Sequence, residues 1–293
     1  MTTEPGSAPA ADFLRDSEVA PDPATPGRYR ASIGDRWNAA YYPFGGMLSA
    51  LALRAMERAL GEPDHRLRTA TTVFSTPIAS GALEIDVELL RAGRGMSQLR
   101  ATLRSAGSSD AGHTTLAVFG AEREMPPVFE FTELACPAAP PPEACPPAPR
   151  PPPDQPFSRS TFFEQVESRV VKLRPLWEPG WQPEGAEALR WMRYRRDVRR
   201  ADGRIDPLAL VPLADTMPPA VGQRIGPGRE TFYAPSCDLT LHVFESTPHE
   251  WLLLHSRCAR VHAGYASCSN EIWDPEGRLV CRATQLMYLR FGL

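Results

Sequence analysis

At 293 residues, 42% hydrophobic and 23% charged, the chain can bury one large core or two smaller ones, and its composition is neither fibrous nor disordered. Lys plus Arg number 32 against 35 Asp plus Glu, a net charge of −3 with no long basic run, so the electrostatic footprint of a nucleic-acid binder is missing. No stretch of roughly 18 apolar residues occurs, which argues against a membrane-spanning helix.

Residues 1–28 are rich in Pro, Ala, Ser and acids, and lack the basic start and apolar stretch of a signal peptide. They are expected to be a disordered N-terminal segment. The run from Gly45 to Leu60 is apolar on nearly every side, the mark of a helix buried all round. Its opening glycines, Gly45 and Gly46, serve either close helix packing or access to free backbone N–H groups. Next, Leu83, Ile85, Val87 and Leu89 alternate with Glu84, Asp86 and Glu88, and Leu99, Ala101 and Leu103 continue the period of half-buried antiparallel strands.

Thirteen of the 32 prolines lie between Pro126 and Pro156, a composition favouring extended polyproline chain over a packed core. Residues 126–158 are therefore expected to link a first domain, 29–125, to a second, 159–293. The two pieces repeat their signals at a constant offset. Tyr42-Pro43-Phe44-Gly45-Gly46 precedes Val211-Pro212-Leu213-Ala214-Asp215 by 169 positions, and Val73-Phe74 precedes Val243-Phe244 by 170. Second strand-like runs follow at Met96 to Ser105 and at Tyr265 to Trp273. One buried helix followed by long antiparallel strands, twice over, predicts an α+β protein with two sheets, each curled around a helix.

The six cysteines form no CxxC pair and a chain this long needs no staples, so a reducing, cytoplasmic setting fits. The six histidines show no HExxH, and no metal site is read. Gly264-Tyr265-Ala266-Ser267 misses the pattern of a nucleophile elbow, and Gly226-Pro227-Gly228 is a turn, without the third glycine of a dinucleotide fingerprint. Cys237 lacks a placed His partner and is expected to be a small buried side chain.

The Phe44-Gly45-Gly46 and Ala214-Asp215 helix starts, Ser236-Cys237-Asp238, Glu250-Trp251-Leu252-Leu253 and Thr284-Gln285 resemble the acyl-CoA thioesterase II type of double hotdog protein, over most of residues 30–125 and 160–291. The resemblance implies two hotdog domains in one chain, an acyl-CoA or acyl-carrier thioester as substrate, no cofactor, and a place in lipid or polyketide metabolism. It admits a homodimer of double hotdog subunits. It places catalysis on Asp215, Ser236 and Gln285, with Phe44, Gly45 and Gly46 binding substrate.

The chemistry suits those residue types. Thioester hydrolysis needs a positioned water, a group to take its proton, and donors facing the carbonyl oxygen as charge develops there. A carboxylate, a hydroxyl and an amide hold a water; the glycine-flanked helix start supplies the oxyanion donors. Each residue also has a plainer role: Asp215 as a helix cap, Ser236 as a strand-end hydroxyl, Gln285 as an exposed strand residue. Phe74, Trp191 and Met217 are the large side chains expected to set pocket length. Two other readings compete: a hotdog hydratase or dehydratase, disfavoured because residues 211–222 hold Asp215 but no His, and a non-hydrolytic protein that binds acyl thioesters.

Overall fold

The structure, a computed structural model, describes residues 11–153, 155–227 and 232–291. Residues 1–10 of the N-terminal segment lie outside it, but residues 11–28, expected to be disordered, are folded. A short helix α1 (Phe13–Asp16) is capped by Asp12, whose side chain accepts the Arg15 N–H at 3.2 Å. Phe13, 1% exposed, meets Trp37 edge-on at 6.4 Å, and the Trp37 indole N–H donates to Asp16 at 3.0 Å. A two-residue strand β1 (Ala20–Pro21) then pairs with β2 (Arg28–Ile33). Two anchoring side chains on a preformed surface order this segment, and average composition does not reveal such anchors.

Helix α2 (Gly45–Leu60) has the expected bounds, with every residue from Gly46 to Met56 buried. Gly61 ends it in the left-handed region at φ 64°, where glycine carries no Cβ penalty. Strands β3 (Arg66–Phe74), β4 (Gly81–Arg91), β5 (Met96–Ser105) and β6 (His113–Gly120) follow. Leu83, Ile85, Leu99, Ala101 and Leu103 face the core. Leu89 does not: β4 shifts register between Leu89 and Arg91 and overruns the core, leaving Leu89 half exposed.

The proline-rich stretch is tied down along the outer face of the next strands, β7 (Val166–Lys172) and β8 (Glu187–Tyr194). Trp191 donates its indole N–H to the Pro140 carbonyl at 2.8 Å, and Val170 N–H donates to Pro146 at 2.8 Å. Cys145 joins Leu189, Trp191, Leu253 and Trp273 in a second apolar cluster beneath it. A proline-rich linker has few N–H donors but keeps its carbonyls, which these edge groups use, and Ala148 N–H donates back to Ser168 at 2.9 Å.

Two short helices come next, α3 (Leu210–Ala214) and α4 (Pro218–Ile225). The remaining strands are β9 (Phe232–Tyr233), β10 (Asp238–Val243), β11 (Leu252–His262), β12 (Tyr265–Trp273), β13 (Leu279–Tyr288) and β14 (Arg290–Phe291). The two expected sheets are one. Twelve strands run in the order β1-β2-β4-β5-β6-β3-β10-β13-β12-β11-β8-β7, and β9 pairs separately with β14. The join is the antiparallel β3–β10 pair, where Thr71 and Thr240 hydroxyls bond at 3.0 Å. Helix α2 packs against β4, β5 and β6, α4 against β8, β11 and β12, and α2 and α3 pack on each other. Among the described residues no helix is long and apolar enough to cross a membrane.

Candidate active site

The site is built where α2 of the first half meets the α3–α4 break of the second. Pro218 and Pro219 have no N–H, so the helical carbonyls four residues back lose their donors and the helix breaks. Side chains from the sheet bond the carbonyls around the break, Ala214 among those the prolines strip. Asn270 on β12 donates to the Leu213 and Ala214 carbonyls, both at 3.3 Å, and Arg190 on β8 donates to Thr216 at 2.7 Å. Burial pushes the Arg190 guanidinium down to about 10.

Asp215 stands at that break. It ends α3 instead of opening one helix over 215–223, because the turn before it, Leu210–Ala214, is already helical. Its carboxylate is 4% exposed and takes donors from three other segments. Oδ2 accepts the Gly46 N–H at 2.7 Å, Oδ1 accepts the Ser236 hydroxyl at 3.3 Å, and Oδ1 also accepts the Gln285 amide. The Gln285 amide nitrogen donates its second hydrogen to Ser236 Oγ at 2.6 Å. The expected trio thus converges, by direct hydrogen bonds and not merely around a shared water. Burial raises the Asp215 carboxyl to about 6, against the pull of the Gln285, Gly46 and Ser236 donors.

Local structure explains each placement. Ser236 lies just before β10 in an isolated bridge to Met287 on β13, which brings its hydroxyl beside Gln285. Gln285 alternates inward on β13 between exposed Thr284 and Leu286, so it is buried at 3% exposure. Its Oε1 is buried with no partner among the described residues, an acceptor left unfilled at the site.

The glycine pair divides its work. Gly46 packs against α3, where an added Cβ would lie 2.6 Å from Pro212 Cα, and its N–H is committed to Asp215. It is therefore not the free oxyanion donor the sequence suggests. Gly45 is one residue closer to the helix end, and its N–H has no hydrogen-bond partner among the described residues. Phe44 turns its ring onto Phe162, stacked at 4.3 Å, so this side chain serves the seam between the halves. Phe74 borders Gly45 and Met217 is fully buried, whereas Trp191 faces the linker on the opposite side of the sheet, away from any acyl pocket beside Asp215. Cys237, expected to be buried, is only half-buried.

Sequence reasoning missed Tyr233 and Asn270. Burial raises the Tyr233 hydroxyl, and Tyr42 and Asp215 nearby add to it while Arg290 opposes. The Tyr41-Tyr42-Pro43 run ahead of α2 was the available signal for the first of these neighbours; nothing in the pattern of β12 marks Asn270 as the repair for a broken helix.

Two family models match the chain: "Acyl-CoA thioesterase N-terminal domain" over residues 33–120 and "Acyl-CoA thioesterase C-terminal domain" over residues 142–289, the latter starting inside the proline-rich stretch. No curated protein matches. Among solved structures, a hot dog fold protein of unknown function from Alicyclobacillus acidocaldarius is 22% identical with TM-score 0.77, covering 96% of this chain and 98% of that one. A putative thioesterase II from Thermobifida fusca YX is 24% identical with TM-score 0.72, covering 98% and 100%. The acyl-CoA thioesterase II TesB2 of Mycobacterium marinum is 21% identical with TM-score 0.70, covering 96% and 99%. The hotdog fold, with its large antiparallel sheet, is thereby shared.

Proposed function

Because this chain belongs to the acyl-CoA thioesterase family and is a thioester hydrolase, we propose that Asp215, Ser236 and Gln285 carry its water attack and that Gly45 receives the oxyanion. The observation that carries this reading is the buried Asp215 carboxylate near pKa 6, fed by donors from both halves, with Gln285 Oε1 left open beside it.

At pH 7 a carboxyl of pKa about 6 is roughly ten to one ionised, so a base is present without being wholly quenched. Water donates one hydrogen to Asp215 and the other to Gln285 Oε1, which aims its lone pair at the thioester carbon. Attack forms the C–O bond while Asp215 takes the proton. The tetrahedral oxyanion faces the Gly45 N–H at the positive end of α2. Collapse breaks the C–S bond, and the departing thiolate takes the proton from Asp215. The products are the acid and the free thiol, with no covalent acyl-enzyme. Ser236 holds Asp215 and Gln285 in register.

We read residues 29–125 and 159–293 as two hotdog units in one chain. Strand order supports this: reading outward from the β3–β10 join, each half gives the same sequence of equivalent strands. Contacts between residues 169 positions apart, Gly46 with Asp215 and Thr71 with Thr240, fit a two-fold relation between the units.

The test is release of free thiol from a panel of acyl-CoAs by wild type and Asp215→Asn. Loss of ~10²–10⁴ in rate is expected for removal of the base. An unchanged rate on the best substrate overturns the assignment of Asp215.

A further inference from the structure

A second reactive group lies one strand away from the trio. Cys258 on β11 and Cys268 on β12 stand directly opposite one another, both packed toward the core, with Cys268 buried and Cys258 half-buried. The Cys258 N–H points away from β12 and donates to Ala186 at 2.8 Å. In an antiparallel strand the N–H and C=O of one residue point to the same neighbour. The two cysteines therefore form a non-hydrogen-bonded pair, with Cα atoms about 4.5 Å apart and side chains at their closest. A disulfide spans Cα separations of about 4.4–6.8 Å, so the pair stands within bonding reach, at the short end of that range.

The two thiols are also unequal. The contact with Cys268 brings the Cys258 thiol down despite its burial, while the same contact and burial push Cys268 up. Cys258 is thus both the reachable sulfur and the more acidic of the two. Cys281, by contrast, is fully buried with its thiol pushed to about 12, and has no cysteine opposite it.

On its other side Cys268 pairs with Gln285 on β13. We propose that Cys258 and Cys268 form a thiol–disulfide couple, oxidised by low-molecular-weight disulfides, and that its closure slows hydrolysis by shifting Gln285. The Cys258 thiolate attacks one sulfur of the reagent, the reagent's S–S bond breaks, and one thiolate leaves. Cys268 then gives its proton to solvent and attacks the Cys258 sulfur, forming the protein disulfide and expelling the second thiolate. The cysteines lose two electrons and two protons; the reagent gains them as two thiols.

Disulfides prefer Cα separations of about 5.5–6 Å, roughly 1 Å beyond the ideal spacing of such a pair, and β12, held between β11 and β13, passes that adjustment to the strand that carries Gln285. Gln285 there holds Ser236 at 2.6 Å and Asp215 in the same grip. Misplacement by roughly 1 Å at such a group is costly to rate. This second effect rests on the proposed role of Gln285; the disulfide itself does not.

The experiment equilibrates the full chain in buffers of reduced and oxidised glutathione, traps free thiols with iodoacetamide, and measures mass and acyl-CoA hydrolysis in parallel. Arg260 separates the two cysteines into different tryptic peptides, so the cross-link is read directly. Expected are loss of two hydrogens, a Cys258–Cys268 linked peptide reversed by dithiothreitol, and turnover lowered roughly tenfold or more in wild type but not in Cys258→Ser or Cys268→Ala. A glutathione adduct that never closes, or a bridge to another cysteine, overturns the couple. A correct bridge with unchanged turnover overturns the link to Gln285. Reduced wild type without hydrolysis overturns the proposed site while the mass readout still decides the disulfide.

Discussion

Gly46 and Asp215, 169 positions apart, touch: the glycine N–H donates to the aspartate Oδ2 at 2.7 Å. A site built on this contact can hold only one carboxylate. A second, at position 46, would put like charges within hydrogen-bond range and its Cβ into the α3 backbone, 2.6 Å from Pro212 Cα and 2.9 Å from the Val211 oxygen. A glycine at position 46 is what permits one charged centre at this contact.

Gly46→Ala is accordingly expected to be the more damaging of the two glycine changes. The obstacle is backbone, which cannot swing aside, and overpacking of this kind costs about 1–3 kcal/mol. Gly45→Ala meets side chains only, the Phe74 ring at 3.1 Å and Asp215 Oδ2 at 3.2 Å, and no backbone. Urea unfolding should rank Gly46→Ala well below Gly45→Ala; equal midpoints would contradict the close packing of α2 on α3.

The pH dependence follows from Asp215. Its folded pKa, about 6, lies above the ordinary carboxyl value of 3.8, so the folded state binds the extra proton between these limits. The resulting stabilisation is complete below about 3.8 and is lost as pH rises through 6. Relative to Asp215→Asn, wild type should gain up to about 1.4 kcal/mol of stability per unit as pH falls from 6 toward 4. Activity moves oppositely: kcat/KM should fall below pH 6 as the base is protonated. A profile flat from pH 5 to 8 would count against Asp215 as base.

At the other two positions the hydrogen-bond inventory sets the order. Gln285→Ala removes two donors from Asp215 and Ser236 and the unfilled acceptor, so turnover should drop by ~10²-fold with KM little changed. Ser236→Ala takes one hydroxyl from a carboxylate that keeps two donors and should be milder, and Ser236→Thr should retain most activity. Steady-state kinetics on one acyl-CoA would show whether Ser236→Ala instead matches Asp215→Asn.

A buried ion network also joins the halves. Arg54 on α2 pairs with Asp206, which is 1% exposed, and with Glu57 at 2.6 Å; Arg200 bonds both acids at 2.7 Å. Burial alone would raise Asp206, but Arg54 and Arg200 hold it below the usual carboxyl value. Arg54→Ala strips one cation from a buried acid and should cost about 3 kcal/mol in unfolding free energy. Residues 1–135 expressed alone lose both this network and the β3–β10 join, and should not melt cooperatively as a soluble monomer. Sharp monomeric melting of that fragment would show the first unit to be self-sufficient.

What the sequence determined by itself was local or periodic. The bounds of α2, β5 and β12 follow from side-chain period and flanking glycines, because each pattern is complete within its own segment. Resemblance to a family named Asp215, Ser236 and Gln285, but only the tertiary structure put them in one hydrogen-bonded group, 70 positions being spanned between Asp215 and Gln285. The same holds for Asn270 and Arg190, which sit unmarked in ordinary strands until the fold sets them against the carbonyls of Ala214 and Thr216 at the helix break. It holds too for the single sheet, since the β3–β10 pairing is a contact between repeats that neither repeat encodes alone. Phe13 and the proline-rich stretch were misjudged for a related reason: composition averages over a segment, whereas order there depends on one or two groups meeting a surface built elsewhere in the chain.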